Sequence, residues 1–263
     1  MEQAEAIKEL KKRLASSQKV LIGLGEEWKA TRESEENSRI LRAYDSLYEL
    51  VRDKDYFIIT MAVDAMIYET PLGSFKELVV SGEAAGEEPF PCKDKADRKM
   101  LERMEQIFPQ KPVGQDTRRD RIVAPWGNET WRQCSKACTR DIWEPGEIPD
   151  DCCPHCGAPL TGNTREADVY IEAGYLPQWE RYTHWLAGTL NRDTLILELG
   201  VGFKDPGVIR FPFEKTVYFN QKAFLCRVNK RFPQIAGEIK ERAAGIGENS
   251  VEWIVNLVKS CHL

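Results

Sequence analysis

Histidine is scarce in this chain, which has only His155, His184 and His262. His155 lies between two cysteines, His184 sits beside Trp185, and His262 is next to the last residue. No Ser-His-Asp or Cys-His arrangement can be drawn from them, and no pair of carboxylates stands out as acid and base. Long apolar runs are missing as well. None approaches the ~20 residues that span a bilayer, so no membrane partner is expected. There is no basic excess either: 37 Lys and Arg stand against 42 Asp and Glu, a net charge of −5. A chain with no basic face to release counterions is a poor nucleic-acid binder, so none is expected. The run Arg118-Arg119-Asp120-Arg121 is short, broken by acid, and reads as a solvated loop. Met1–Ala6 is acidic and helical in character, unlike a secretory or mitochondrial address. Internal repeats and low-complexity segments are also lacking. What remains is an expectation of a cytoplasmic globular protein.

Against these absences stands a concentration of cysteine. Cys134 and Cys138 are separated by three residues, Cys153 and Cys156 by two, and the fourteen residues Thr139–Cys152 lie between the pairs. That spacing brings four thiolates around one tetrahedral ion, the pattern of a structural zinc site. Pro154 stiffens the second turn, and Gly157 lets the backbone fold back with its N–H groups toward the sulfurs. The alternatives are a disulfide framework, which a reducing compartment disfavours, or four buried free thiols. Cys152 adjoins Cys153 and competes with it as ligand, though the two-residue spacing to Cys156 favours Cys153. Cys92, Cys226 and Cys261 are scattered, and Cys226 sits in an apolar run that reads as core.

Around the cysteines the pattern alternates between helix and strand. Residues 2–15 read as an amphipathic helix and Lys19–Gly25 as a buried strand entering a glycine turn. Ser38–Arg52 carries a helical stripe, and Tyr56–Thr60 is a continuous apolar run, as in a strand covered on both faces. Residues 70–121 break the pattern with a loop and a charged helix over Lys93–Phe108. After the cysteines come helix-like Leu176–Leu190, the strands Thr194–Leu199 and Lys222–Val228, and a last helix over Ser250–Val258. The fold class is therefore α/β, a Rossmann-like parallel sheet with helices on both faces and a small zinc-binding module inserted. The expected boundaries are 1–69 with 163–263 for the sheet domain, 70–121 for the insertion and 122–162 for the module.

Open parallel sheets bind ligands at the carboxyl ends of their strands. Gly23 and Gly25 end the first strand where a pyrophosphate would approach, but Glu26 and Glu27 follow, and like charges there repel an anion. Asp64 follows the second strand and can meet a ligand or cap the next helix. Gly200 and Gly202 follow the third strand and allow either close ligand approach or a turn. Asn229 ends the fourth, able to bond a ribose or simply to stop the strand.

In this order the segments resemble the sirtuin family, with bacterial macrodomain-linked sirtuins as the nearest branch. The likeness rests on Arg132-Gln133-Cys134-Ser135-Lys136-Ala137-Cys138 and on the run Leu197–Gly202 with Pro206–Phe213. It covers 122–258 well and 1–68 loosely, and 70–121 has no counterpart. The resemblance implies a Rossmann sheet and zinc module with NAD between them, and NAD-dependent deacylation or ADP-ribosylation of a protein. It assigns Gly23, Gly25, Asp64, Gly200, Gly202 and Asn229 to the cofactor and Cys134, Cys138, Cys153 and Cys156 to zinc.

The departures fall on the chemistry. Glu26 and Glu27 stand where the family has Ala-Gly, Ala62 stands where it has the Asn of Thr-x-Asn-x-Asp, and Trp126 stands where it has His or Gln. An indole has one donor and no basic nitrogen, so it cannot act as a general base. The expectation is a sirtuin-like zinc protein with deacylase activity absent or very weak, serving as a binding or regulatory scaffold for a protein or peptide. Two alternatives remain. One is an NAD-dependent ADP-ribosyltransferase or deacylase using altered residues. The other is a changed chemistry in which Cys92, Asp94 or Glu102 of the insertion takes part.

Overall fold

A computed structural model of the chain describes residues 3–31, 34–73 and 118–261. The expected helix over Lys93–Phe108 lies outside the described residues, as do Cys92, Asp94, Glu102 and His262. The described elements run α1 (Gln3–Ser16), β1 (Lys19–Leu24), α2 (Ser34–Val51) and β2 (Asp55–Thr60). Then come β3 (Ile122–Val123), β4 (Gly127–Cys134), β5 (Ile142–Trp143), β6 (Leu160–Thr164) and α3 (Leu176–Ala187). The chain closes with β7 (Thr194–Leu199), α4 (Arg210–Phe219), β8 (Ala223–Val228), β9 (Ala243–Ile246) and α5 (Ser250–Cys261).

Six parallel strands form the main sheet in the order β3-β2-β1-β7-β8-β9. The order reverses direction between β1 and β7, which is the topological switch point of a doubly wound sheet. Both faces are covered, which is why the strands read as continuous apolar runs. Val20, Ile22 and Leu24 of β1 pack with Leu195, Leu197 and Leu199 of β7 beneath α1, α2 and α5, joined by Leu10, Tyr44, Leu47 and Ile254. On the opposite face Leu21, Phe57, Ile59 and Ile196 meet Tyr182 of α3 and Phe213 and Val217 of α4. Gly23 lets α4 sit close, since a Cβ there would lie 2.4 Å from Ile209.

A second, antiparallel sheet of order β5-β4-β6 carries the cysteines. β3 belongs to the larger sheet, so the small sheet begins only at Gly127. The segment Arg118–Arg121, expected as a solvated loop, forms a 3-10 turn in which Arg121 pairs with Asp55 and Asp120 with Arg181. Among the described residues no helix is long and apolar enough to cross a membrane.

Candidate functional site

The two cysteine pairs converge. The sulfurs of Cys134, Cys138, Cys153 and Cys156 all lie within 4.8 Å of one another, with Cys134–Cys156 at 3.6 Å and Cys138–Cys153 at 3.5 Å. Four sulfurs bound tetrahedrally at ~2.3 Å from one ion would stand about 3.8 Å apart, so the set fits a metal. Cys152 is exposed, lies outside that group and forms a β-bridge with Pro159 instead. Tight turns shape the knuckles: Ala137 and Gly157 have φ of 48° and 70°, and the Gly157 N–H donates to the Cys153 carbonyl at 2.8 Å. Backbone N–H groups of Cys138 and Lys136 favour the thiolate of Cys134 and lower its pKa to about 6, whereas the neighbouring Cys156 sulfur raises Cys138. His155 bonds Asp141 at 2.8 Å and stacks on Trp143, so its imidazole is directed away from the sulfurs.

A second candidate is the cleft at the switch point. Glu26 and Lys29 after β1, Met61 and Val63 after β2, Trp126, Arg165, Glu166, and Lys204 after β7 enclose about 50 Å³. Half-buried Trp126 stands in it. Its indole N–H points at Asp205 at 3.4 Å, the Lys204 ammonium lies 4.5 Å from its ring centroid, and the Arg165 guanidinium lies 5.5 Å away. Arg165 also pairs with Asp205, and Lys29 loosely with Glu166 at 3.9 Å. Ligand sites for molecules of cofactor size measure ~300–1,000 Å³, well above the space these residues enclose. Glu26, Lys29, Met61, Val63 and Trp126 fall in segments that the sequence singles out, whereas Arg165, Glu166 and Lys204 come from separate segments with no local signature.

The six residues assigned to a cofactor lie along this carboxyl edge, and each has an internal partner or packing role. A Cβ on Gly25 would lie 2.3 Å from the Gly200 carbonyl, so this glycine permits two loops to touch. Gly200 itself has φ of 68°. Asp64 accepts from the N–H groups of Ala30 at 2.7 Å and Met66 at 3.1 Å, tying the β1–α2 turn to the end of β2. Asn229 accepts from Arg231 and Phe232, each at 2.8 Å, and donates to the Val201 carbonyl at 3.1 Å. Glu26 accepts from the Gly202 N–H at 2.7 Å. Glu27 accepts from the Lys230 N–H at 3.1 Å and from the N–H and hydroxyl of Ser250, both at 2.7 Å. Ala62 is buried, with no polar side chain to offer the cleft.

One buried group underlies these loops. Glu198 of β7 and Arg227 of β8 face each other in register and pair through two bonds, at 2.6 and 2.8 Å. Arg227 also reaches Glu214 at 2.8 Å, while Arg210 binds the carbonyls of Val201, Phe232 and Gln234. Burial pushes the Glu198 carboxyl up, and the two guanidiniums counter it.

No family model matches the sequence. Over 110 residues, 41% of this chain, it is 31% identical to a protein ADP-ribosyltransferase of Staphylococcus aureus (strain Mu50 / ATCC 700699). Over 81 residues, 30% of this chain, it is 32% identical to a "Probable bifunctional ADP-ribose hydrolase/ADP-ribosyltransferase" of Fusarium oxysporum f. sp. cubense. The matches span 35% and 13% of those two proteins. A solved structure from work on the structural basis for the mechanism and regulation of Sir2 enzymes superposes with a TM-score of 0.50 at 15% identity, covering 98% of this chain and 99% of the other. The chain thus has a sirtuin-like fold, with a cysteine cluster positioned for a metal.

Proposed function

We propose that this sirtuin-like chain is a zinc-stapled scaffold whose nucleotide-type cleft is closed, with NAD-dependent deacylase activity absent or very weak. The single observation that carries the reading is Trp126. It lines the switch-point cleft of about 50 Å³, with its indole N–H directed at Asp205 and two cations near its ring, and it offers no basic nitrogen where the resemblance places His or Gln. Losing one positioned acid–base group costs ~10²–10⁴-fold in rate, and here the space for the cofactor is missing too. Cys134, Cys138, Cys153 and Cys156 hold the zinc, which acts as a structural clamp on the β4–β6 sheet and takes no part in chemistry. The partner is a protein or peptide in the cytoplasm, and the acidic surface disfavours nucleic acid.

A second reading is an ADP-ribosyltransferase or deacylase with altered residues, favoured by the likeness to two proteins bearing the former name. Thermal unfolding with NAD, ADP-ribose and nicotinamide separates the two. A ligand at a hundred times its dissociation constant adds ~2.7 kcal/mol of stability, a shift of several degrees. A closed cleft predicts no shift at millimolar ligand, whereas NAD consumption by the wild-type chain would establish the second reading.

A further inference from the structure

The turn after β1 places two consecutive carboxylates against backbone donors from three other segments. Glu26 takes the Gly202 N–H from the loop after β7, while Glu27 takes the Lys230 N–H from the loop after β8 and Ser250 at the start of the twelve-residue helix α5. Outward-facing N–H groups at a helix start and in strand-end loops favour anions. Here the anions are the chain's own. They also fill the space the glycines leave, since a Cβ on Gly200 would lie 2.6 Å from Glu27 and one on Gly202 3.2 Å from the Glu26 carboxylate. The turn is fastened from behind. Trp28 is fully buried and donates its indole N–H to the Ser250 hydroxyl at 3.0 Å, and Asp64 holds the Ala30 N–H.

We propose that Glu26 and Glu27 are an autoinhibitory closure, a tethered pair of anions occupying donors that would otherwise receive a diphosphate-bearing ligand. Because the pair is part of the chain, it competes at high effective concentration. It also repels any second anion arriving at the same edge. This rests on the reading that the wild-type cleft is closed to nucleotides and names what closes it from the strand-end side.

The experiment is calorimetric titration of the metal-loaded full chain with inorganic pyrophosphate and, separately, ADP-ribose at low and moderate salt. The wild type should give no binding heat at millimolar ligand. Glu26→Ala/Glu27→Ala should bind pyrophosphate at least about tenfold more tightly than the wild type, with affinity falling as salt rises. Glu27 caps α5, so Glu26→Ala alone and Glu27→Gln alone serve if the double variant does not fold, each expected to show a smaller gain. Circular dichroism and metal content establish that the variants are folded. Folded variants that bind pyrophosphate no better than the wild type overturn the closure and leave the scaffold reading standing. NAD turnover by the wild type overturns the scaffold reading itself.

Discussion

Replacing Arg227 by Met should be among the most damaging single changes in the chain. The guanidinium is fully buried and makes two bonds to Glu198, one to Glu214 and one to the Gln234 carbonyl. Without it Glu198, also fully buried, keeps only Arg210 at 3.4 Å. Glu214, whose side chain is 22% exposed, can turn toward water. The cost is therefore set mainly by one uncompensated carboxylate. Breaking a buried pair from one side costs ~3–5 kcal/mol. Unfolding entropy of ~2.1 cal/mol/K per residue over 263 residues converts this to a Tm lower by about 5–9 °C. The double variant Glu198→Leu/Arg227→Met removes both charges, so it should be clearly more stable than Arg227→Met alone. Scanning calorimetry and urea titration at constant m-value measure both. A fall of less than about 2 °C for the single variant, or a double variant no better than the single, would refute the account of this network.

Three further outcomes are expected. Metal analysis should find one ion per chain in the wild type; Cys134→Ser and Cys153→Ser should each lose it, while Cys152→Ser should keep it. A metal-free but stably folded wild type would sink the zinc assignment. Asp55→Asn should lower stability at neutral pH by only about 1 kcal/mol, because the carboxylate is 39% exposed and partly screened. Burial pushes Asp55 up, but hydrogen bonds from Lys19 and Trp185 outweigh it and hold the pKa below its ordinary value. Its contribution is therefore present above the unfolded pKa of ~3.9 and lost as pH falls through the lower folded value. The gap between wild type and Asp55→Asn should close in that acid range, and a constant gap would contradict the sign. Gly25→Ala forces a methyl onto the Gly200 carbonyl and should cost at least ~1–3 kcal/mol, whereas Gly237→Ala, with nothing within 4 Å of the new Cβ, should be close to neutral.

Four of the six strands of the main sheet, β1, β2, β7 and β8, were legible because burial on both faces leaves a nearly continuous apolar run, while the short β3 and β9 carry no such run. The same runs held an unread signal. Glu198 and Arg227 are single charges in otherwise apolar strands, and only the parallel register shows that they face each other. Helix α4 is not among the elements expected from the sequence, and it contains Pro212. That proline lies in the first turn, where an α-helix needs no N–H donor, and Ile209, Phe213 and Val217 bury one face at four-residue intervals. The metal cluster was readable because ligand spacing is local within each pair. Choosing Cys153 over Cys152 needed only the two-residue spacing, and the sulfur geometry agrees with that choice. The cleft was only partly readable: Trp126 and Glu26 stand out in the sequence, but Arg165 and Lys204 join them only after the sheet is assembled. The Glu26–Glu27 pair was visible as charge, but sequence suggested repulsion alone. Which donors the carboxylates would find depended on α5 and the loop after β8.

That difference between repulsion and occupation has an energetic consequence. A carboxylate that merely repels an incoming anion is screened by salt over ~8–10 Å, so a strong ligand can still bind. Carboxylates that hold the donors must first be displaced. Glu26 and Glu27 together accept four hydrogen bonds, each charge-assisted and carrying ~1.5–3 kcal/mol. Losing all four would cost about 6–12 kcal/mol, a range that includes the ~8 kcal/mol of a micromolar ligand. A diphosphate recovers part of this by making its own bonds to the same N–H groups, so closure of this kind weakens binding by the difference rather than the whole. The same reasoning makes removal of one carboxylate only partly opening. With Glu27 still on Ser250 and Lys230, the Gly202 donor freed from Glu26 would have an anion for a neighbour, and Trp126 would still stand in the cleft beyond it.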